Sequence, residues 1–100
     1  MFSLNALVRN TSLGLRVLVP GPEGALEEPV AWVHNTELPD PSRYLRPREL
    51  VLTNGLWLGR ITAAEFVANV RRAQGAGIVF GLRPEMPATP PELAAACRGA

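Results

Sequence analysis

One hundred residues is the length of a single domain, or of part of one, because domains commonly contain about 100–150 residues. Hydrophobic residues make up 47% and charged residues 19%, which excludes a wholly disordered chain, and no apolar run is long enough for a transmembrane helix. The formal net charge is +1, and the ten basic residues, all arginine, are spread along the chain. A DNA-binding domain would instead concentrate positive charge on one face.

The first third of the chain contains one clear helical signal. Residues 1–15 predict a short helix that Ser3 caps, with apolar residues at helical spacing. Gly14 can then supply a left-handed position after the helix. Residues 16–19 predict a short strand, and residues 20–29, rich in proline and glycine, predict a loop.

A strand followed by an irregular segment is predicted next. Residues 30–34 are largely apolar at both alternating sets of positions, so we expect this strand to be covered on both faces. Asp40 followed by Pro41 is typical of a helix cap and first helical position, and predicts a single turn through Leu45. Pro47 ends that turn.

Residues 50–53 form a continuous apolar run, which predicts a strand buried on both faces. The Asn54-Gly55 dipeptide follows directly and can close a hairpin, because both residues tolerate positive φ. Residues 56–58 would then be the returning strand, although the segment is too short to decide this from its pattern.

The strongest helical signal covers residues 62–74. Thr62 and Glu65 form a capping box, an apolar stripe follows, and Gly75 and Gly77 are expected to end the helix. The apolar run 78–82 follows after a few residues, so we expect the 50–53 and 78–82 strands to be parallel.

A last helix is predicted to begin at a second capping box, formed by Thr89 and Glu92, and to extend through Cys97. Helices and strands therefore alternate along most of the chain. The prediction is an α/β fold: a small, mixed, partly parallel sheet of about four strands flanked by helices.

Chemical motifs are sparse. There is no glycine-rich phosphate loop, nucleophile elbow or paired-histidine metal motif, so no catalytic residues are predicted. His34, Glu37 and Asp40 could hold a metal, but they straddle a strand end and a proline turn, so we expect no metal site and no cofactor. Cys97 is expected to be a small buried residue. Trp32 and Trp57 could stack on a planar ligand, but lie in apolar runs that favour core packing.

The middle of the chain carries a family resemblance, in three stretches: Val-Ala-Trp-Val-His-Asn-Thr-Glu-Leu-Pro-Asp-Pro at 30–41, Tyr44-Leu45, and Glu-Leu-Val-Leu-Thr-Asn-Gly at 49–55. This pattern resembles the N-terminal domain of PucR-like (purine catabolism regulator-like) transcriptional regulators. The resemblance covers nearly the whole chain. Two positions depart from the family pattern: Arg48 replaces its usual glycine, and Asn54 replaces its second threonine.

The resemblance implies an effector-sensing or assembly role in the bacterial cytoplasm. In such regulators DNA is bound by a separate helix-turn-helix domain. Residues 1–100 would then be the regulatory domain, expected to be a fragment because another apolar strand usually follows this last helix in the family. No membrane contact is expected. An incomplete sheet leaves an unpaired strand edge, so we also expect a homo-oligomer, or pairing with a segment outside residues 1–100.

Three functional classes follow from these observations. A sensor would bind a purine-catabolite-like effector at the carboxyl ends of the strands. The predicted ligand-binding residues are His34, Glu37, Asp40, Thr53, Asn54 and Gly55. In the alternative structural interpretation, Glu37 and Thr53 hydrogen-bond each other and the loop amides. A docking or dimerisation module would instead show an exposed apolar patch or an open strand edge. An unrecognised enzyme is the third class, and no residue pair favours it.

Overall fold

The computed structural model describes residues 2–100. These residues form five strands and three α-helices, with single 3-10 turns at Thr11–Leu13 and Ala25–Glu27. In chain order the elements are β1 (Phe2–Ser3), α1 (Leu4–Arg9), β2 (Pro29–Val30), β3 (Trp32–Asn35), β4 (Glu49–Thr53), α2 (Ala63–Arg72), β5 (Gly77–Phe80) and α3 (Pro91–Arg98). Among the described residues, no helix is long and apolar enough to cross a membrane.

The strands are divided between two sheets. One sheet has three parallel strands in the order β3-β4-β5, and the other is a short antiparallel pair of β1 and β2. In the larger sheet Val51 lies between His34 and Ile78. Helix α2 connects β4 to β5, as the crossover between parallel strands requires. The predicted α/β class and the parallel pairing of the 50–53 and 78–82 regions are therefore confirmed.

The hydrophobic core lies between the larger sheet and the two longer helices. Trp57 and Phe66 are fully buried, and their rings stack with centroids 4.0 Å apart and planes 6° from parallel. Val51 contributes from β4 and Leu93 from α3. The aromatic pair therefore joins the segment after β4 to α2, at the centre of the fold.

The caps predicted at the amino-terminal ends of α1 and α2 are confirmed. The hydroxyl of Ser3 accepts a hydrogen bond from the backbone N–H of Ala6 at 3.1 Å, at the start of α1. Thr62 and Glu65 form both bonds of the capping box at the start of α2. Gly14 has φ of 65°, in the left-handed region predicted for it.

The strand predicted at 16–19 is not formed, and the 56–58 segment, which the pattern left undecided, is not a strand either. Residues 16–19 are irregular, and most of them are exposed, because no neighbouring strand pairs with them. Residues 56–58 form a turn in which Leu58 makes only an isolated bridge to Ile61. Trp57 leaves this turn to enter the core, so Asn54-Gly55 does not close a hairpin.

The prediction that the 30–34 strand is covered on both faces is wrong beyond Val30. Trp32 is 69% exposed and Val33 is 36% exposed, whereas β4 is buried along most of its length. The reason is position in the sheet: β3 is an edge strand and β4 is central.

Two helix ends also differ from prediction. Thr89 does not cap α3; Pro90 occupies the cap position without a side-chain hydrogen bond, and Pro91 is the first helical residue. At the end of α2 the left-handed residue is Gln74, with φ of 63°, and not Gly75. The bonds from Gln74 N–H to the Arg71 carbonyl (2.8 Å) and from Gly75 N–H to the Val70 carbonyl (3.0 Å) complete a Schellman motif.

Candidate functional site

The loop after β3 lies against the turn after β4, as the sequence predicts. The carboxylate of Glu37 accepts hydrogen bonds from the Thr53 hydroxyl (3.0 Å), the Asn54 N–H (2.6 Å) and the Leu56 N–H (2.9 Å). These contacts arise because parallel strands end at the same edge of a sheet. We call this arrangement the Glu37 clip.

Thr53 links the Glu37 clip to the core. Its buried hydroxyl donates to Glu37 and accepts from the indole N–H of Trp57 at 3.0 Å and the N–H of Gly55 at 3.2 Å. A buried indole N–H needs such an acceptor. Since Trp57 stacks on Phe66, the position of Glu37 is connected through two side chains to helix α2.

The third strand end joins the same cluster. The side-chain amide of Asn54 donates to the Gly81 carbonyl at 3.0 Å, and Arg83 Nε donates to the Asn54 carbonyl at 3.2 Å. Sequence reasoning missed Arg83, because nothing in its local pattern identifies its partner. Gly55 has φ of 79°, and a Cβ there would lie 2.7 Å from the ring of Phe80, so the close approach predicted for this glycine is to the protein itself.

Asp40 has the capping role predicted for it. Its carboxylate accepts from the backbone N–H of Ser42 at 3.0 Å and from the Ser42 hydroxyl at 2.6 Å, at the start of a single turn. These hydrogen bonds, the hydroxyl first, lower the pKa of Asp40 below its ordinary value of 3.8. Arg72 of α2 lies 3.4 Å from the same carboxylate, so the loop is also tied to the helix.

His34 contacts Glu49 and not the Glu37 clip. Its Nδ1 lies 3.6 Å from the Glu49 carboxylate, and Glu49 also accepts from the Arg46 N–H at 2.8 Å. The structure therefore joins His34 to β4 and the 41–47 turn, not to the Glu37 clip. Within residues 2–100 no group of three or more His, Cys, Asp or Glu residues is arranged to hold a metal ion.

The polar groups at the strand ends are largely hydrogen-bonded to other groups of the protein. The carboxylate oxygens of Glu37 and the hydroxyl of Thr53 bond each other and nearby amides, as the alternative structural interpretation of these residues predicts. Two shallow concavities of about 300 Å³ and 330 Å³ lie elsewhere. One is between α2 and α3, and the other is in the loop around Gly24.

The two tryptophans and the cysteine differ in exposure. Trp57 is fully buried, as predicted, but Trp32 stands in solvent on β3, so the core role predicted for it is wrong. Cys97 is half-buried against the core, and burial raises the pKa of its thiol, which suppresses the reactive thiolate. The exposed Trp32 beside an open strand edge is the surface feature that sequence reasoning missed; recognising it would have required knowing which strand is at the edge.

Comparison with known proteins places this sequence in a family. The model of the purine catabolism regulatory protein-like family, PucR, matches residues 6–100. The chain is 33% identical over 95 residues to the transcriptional activator PmfR of Paenarthrobacter nicotinovorans, a match that covers 93% of this chain and 20% of PmfR. No solved structure matches the chain significantly. The chain belongs to the PucR family, whose model matches nearly all of it.

Proposed function

We propose that this chain is a regulatory contact domain of a transcription regulator, which acts by binding other polypeptide through the open edge of its parallel sheet. The observation that carries the proposal is the exposure of Trp32 on edge strand β3. Exposed apolar surface next to unpaired strand backbone is the usual mark of a protein contact. The family and the similarity to an activator support a regulatory setting.

DNA binding belongs to another part of such a regulator in this proposal. The formal net charge of +1 provides little electrostatic attraction to phosphate, and the arginines are distributed over helices, turns and loops. The proposal includes no catalytic step, and it places the domain in the cytoplasm with the genes that it regulates.

The test replaces the matching 95 residues of PmfR with this chain and measures transcription of a reporter under control of that activator. Trp32→Ser removes the exposed ring without leaving a core cavity. We expect it to reduce the response severalfold. The matched control is Leu13→Ser, which removes another exposed apolar side chain, from the first 3-10 turn.

The comparison separates a specific contact from general loss of apolar surface. If Trp32→Ser and Leu13→Ser give the same response as the unaltered chimera, while both domains unfold at the original temperature, the contact function is wrong. Circular dichroism melts of the isolated variants provide the folding control.

A second candidate is effector sensing at the strand ends. It is favoured by the side-by-side position of the Glu37 loop and the 53–55 turn, because ligands of open α/β sheets bind outside the carboxyl ends of strands. A flat, nitrogen-rich effector such as a purine catabolite would have to exchange hydrogen bonds with the Glu37 clip. His34 and Asp40, whose contacts are with Glu49 and Ser42, take no part in this candidate site.

Thermal shift measurements with purine catabolites test this candidate. Binding of an effector to the folded state raises the melting temperature, and Glu37→Gln and Asn54→Ala should reduce that rise. If an effector raises the melting temperature of both variants as much as that of the original chain, its site is elsewhere. If no compound produces a shift, sensing at this position is rejected.

A further inference from the structure

The backbone of β3 is available to another strand. Among residues 2–100, β3 pairs only with β4. The N–H of Thr36, which follows β3 directly, donates to the Leu52 carbonyl at 3.0 Å, so the backbone of this residue faces β4. Backbone groups alternate direction along a strand, so the N–H and C=O groups of Val33 and Asn35 point to the open edge.

This edge lacks several of the features that normally block pairing. Natural edge strands are protected by lysine, proline, bulges or inward charges. Trp32–Asn35 contains no lysine, proline or carboxylate, and its register against β4 is regular. The ring of His34 is turned to Glu49 of its own chain, which leaves the edge unobstructed by charge.

The surface beside this edge is aromatic and positively charged. Trp32 and Glu49 are paired residues on neighbouring strands, and the Arg46 N–H binds the Glu49 carboxylate, so the 41–47 turn lies beside the strand position that pairs with Trp32. Tyr44 in that turn is 59% exposed. Arg43 and Arg46 are exposed, and within the described chain neither forms a salt bridge. Tryptophan, tyrosine and arginine are the residue types that dominate binding hot spots.

The carboxylates near this surface are already engaged. Glu49 is nearly buried and holds His34 and Arg46, while Asp40 is paired with Arg72. The unbalanced charge of the surface is therefore positive, and a complementary partner carries carboxylates.

From this geometry we infer that β3 takes an extended polypeptide segment bearing carboxylates, which adds as a fourth strand while its acidic side chains meet Arg43 and Arg46. The inference rests on the proposed contact function and names the partner's chemistry. Main-chain hydrogen bonds would supply affinity and the arginines would select the sequence. A second copy paired about a two-fold axis would bring two like-charged turns to the same face, and nucleic acid cannot use the strand's alternating donors and acceptors.

The experiment titrates three synthetic peptides into the ¹⁵N-labelled chain and follows its amide and indole resonances. The first alternates valine and glutamate, the second has lysine in place of glutamate, and the third is the acidic peptide with alternate amides N-methylated. We expect only the first to shift the resonances of Trp32–Asn35. Arg46→Glu should raise its Kd at least about tenfold, whereas the matched control Arg16→Glu, in the exposed irregular segment, should leave the Kd within about twofold.

Equal binding of the lysine or N-methylated peptide overturns the inference, as does a response confined to other residues or no response at all. Displacement of the acidic peptide by single-stranded oligothymidine would instead assign the surface to nucleic acid. Sedimentation showing a dimer that Trp32→Ser dissociates would assign the edge to a second copy; that result overturns the acidic partner but leaves the proposed contact function intact. Loss of the contact function itself is detected separately, in the chimera.

Discussion

The hydroxyl of Thr53 is a single atom on which three parts of the fold depend. It bonds the loop after β3 through Glu37, the turn through Gly55 and the core through the Trp57 indole. A buried donor that loses its acceptor keeps the full cost of leaving water. The structural importance of this residue is therefore set by its hydroxyl more than by its volume.

Thr53→Val should lower the free energy of unfolding by about 1–3 kcal/mol, because it preserves shape but leaves the Trp57 N–H unpaired. Thr53→Ser keeps the oxygen and should cost only about 1 kcal/mol for the lost methyl group. Urea denaturation measures both. A valine variant as stable as the serine variant would show that the indole finds another acceptor.

Arg48 combines an unfavourable backbone with favourable side-chain contacts. Its φ is 65°, a conformation that suits glycine, and its Nε donates to the Pro29 carbonyl at 2.9 Å while Nη1 lies 3.6 Å from Glu28.

Replacing Arg48 separates these two effects. Arg48→Ala loses the contacts and keeps the strained backbone, whereas Arg48→Gly loses the contacts and relieves the strain. We expect the glycine variant to be more stable than the alanine variant by about 1 kcal/mol in urea denaturation. The reverse order would mean that the left-handed backbone costs little here.

Two exposed carboxylates make the stability of the fold depend on pH in the acidic range. Hydrogen bonds from Ser42 lower the pKa of Asp40, and the backbone N–H of Thr62 with its hydroxyl lowers that of Glu65, relative to ordinary values of 3.8 and 4.5. Because each folded-state pKa lies below the unfolded one, the stabilisation is complete above the ordinary values. It is lost as the pH falls through the folded values.

The melting temperature should therefore fall between about pH 5 and about pH 2. In Asp40→Asn combined with Glu65→Gln this fall should be shallower. Asp40→Ala should cost about 1 kcal/mol at neutral pH, the usual loss for a cap. Parallel acid profiles for the original chain and the double variant would contradict the assignment.

At the scale of an element, the end of α2 shows two neighbouring residues with opposite requirements. Gln74 adopts the left-handed conformation that favours glycine. Gly75 has ordinary φ, but a Cβ there would lie 2.6 Å from Val70 Cγ1 and 3.2 Å from the Val70 carbonyl oxygen. The glycine is required for space, and the glutamine position for conformation.

These requirements predict opposite results for two single substitutions. Gln74→Gly should stabilise the fold by about 0.5–1 kcal/mol, since it relieves the left-handed backbone. Gly75→Ala should destabilise it by about 1–3 kcal/mol through overpacking against α2. Both are measured by urea denaturation at equal protein concentration, and stabilisation by the alanine would disprove the steric argument.

At the scale of the whole molecule, we expect protection of backbone amides from hydrogen exchange to be greatest at the centre of the larger sheet and to decrease toward its edge. β4 has a paired strand on each side and is mostly buried, whereas β3 has one paired side and exposed residues. Local opening therefore needs less free energy at β3 than at β4.

Hydrogen exchange measures this difference directly. We expect β4 amides to exchange slowest, and the Val33 and Asn35 amides, which face the open edge, to exchange nearly unprotected in dilute solution. If the chain self-associates through β3, as an open edge permits, their protection should rise with protein concentration. Strong protection in dilute solution would show that the edge is already covered.

The sequence by itself determined the features that depend on neighbouring residues. Ser3, Asp40 and the Thr62–Glu65 pair identify their caps because a cap bonds backbone only two or three residues away. The continuous apolar run at β4 indicated burial on both faces, and α2 between two apolar runs indicated parallel strands. The family resemblance added the expected role as part of a regulator, which the family match supports.

Only the tertiary structure decided which residues with similar local sequence are buried, and which residues distant in sequence form hydrogen bonds. Trp32 and Trp57 both lie in apolar runs, but one is on an edge strand and the other enters the core, because strand order and not local pattern sets coverage. Glu37 bonds Thr53 sixteen residues away, and Asn54 bonds Gly81 and Arg83, which follow the end of β5. Such partners are chosen by the packing of parallel strand ends, and the free energy that fixes them comes from burial distributed over the whole fold.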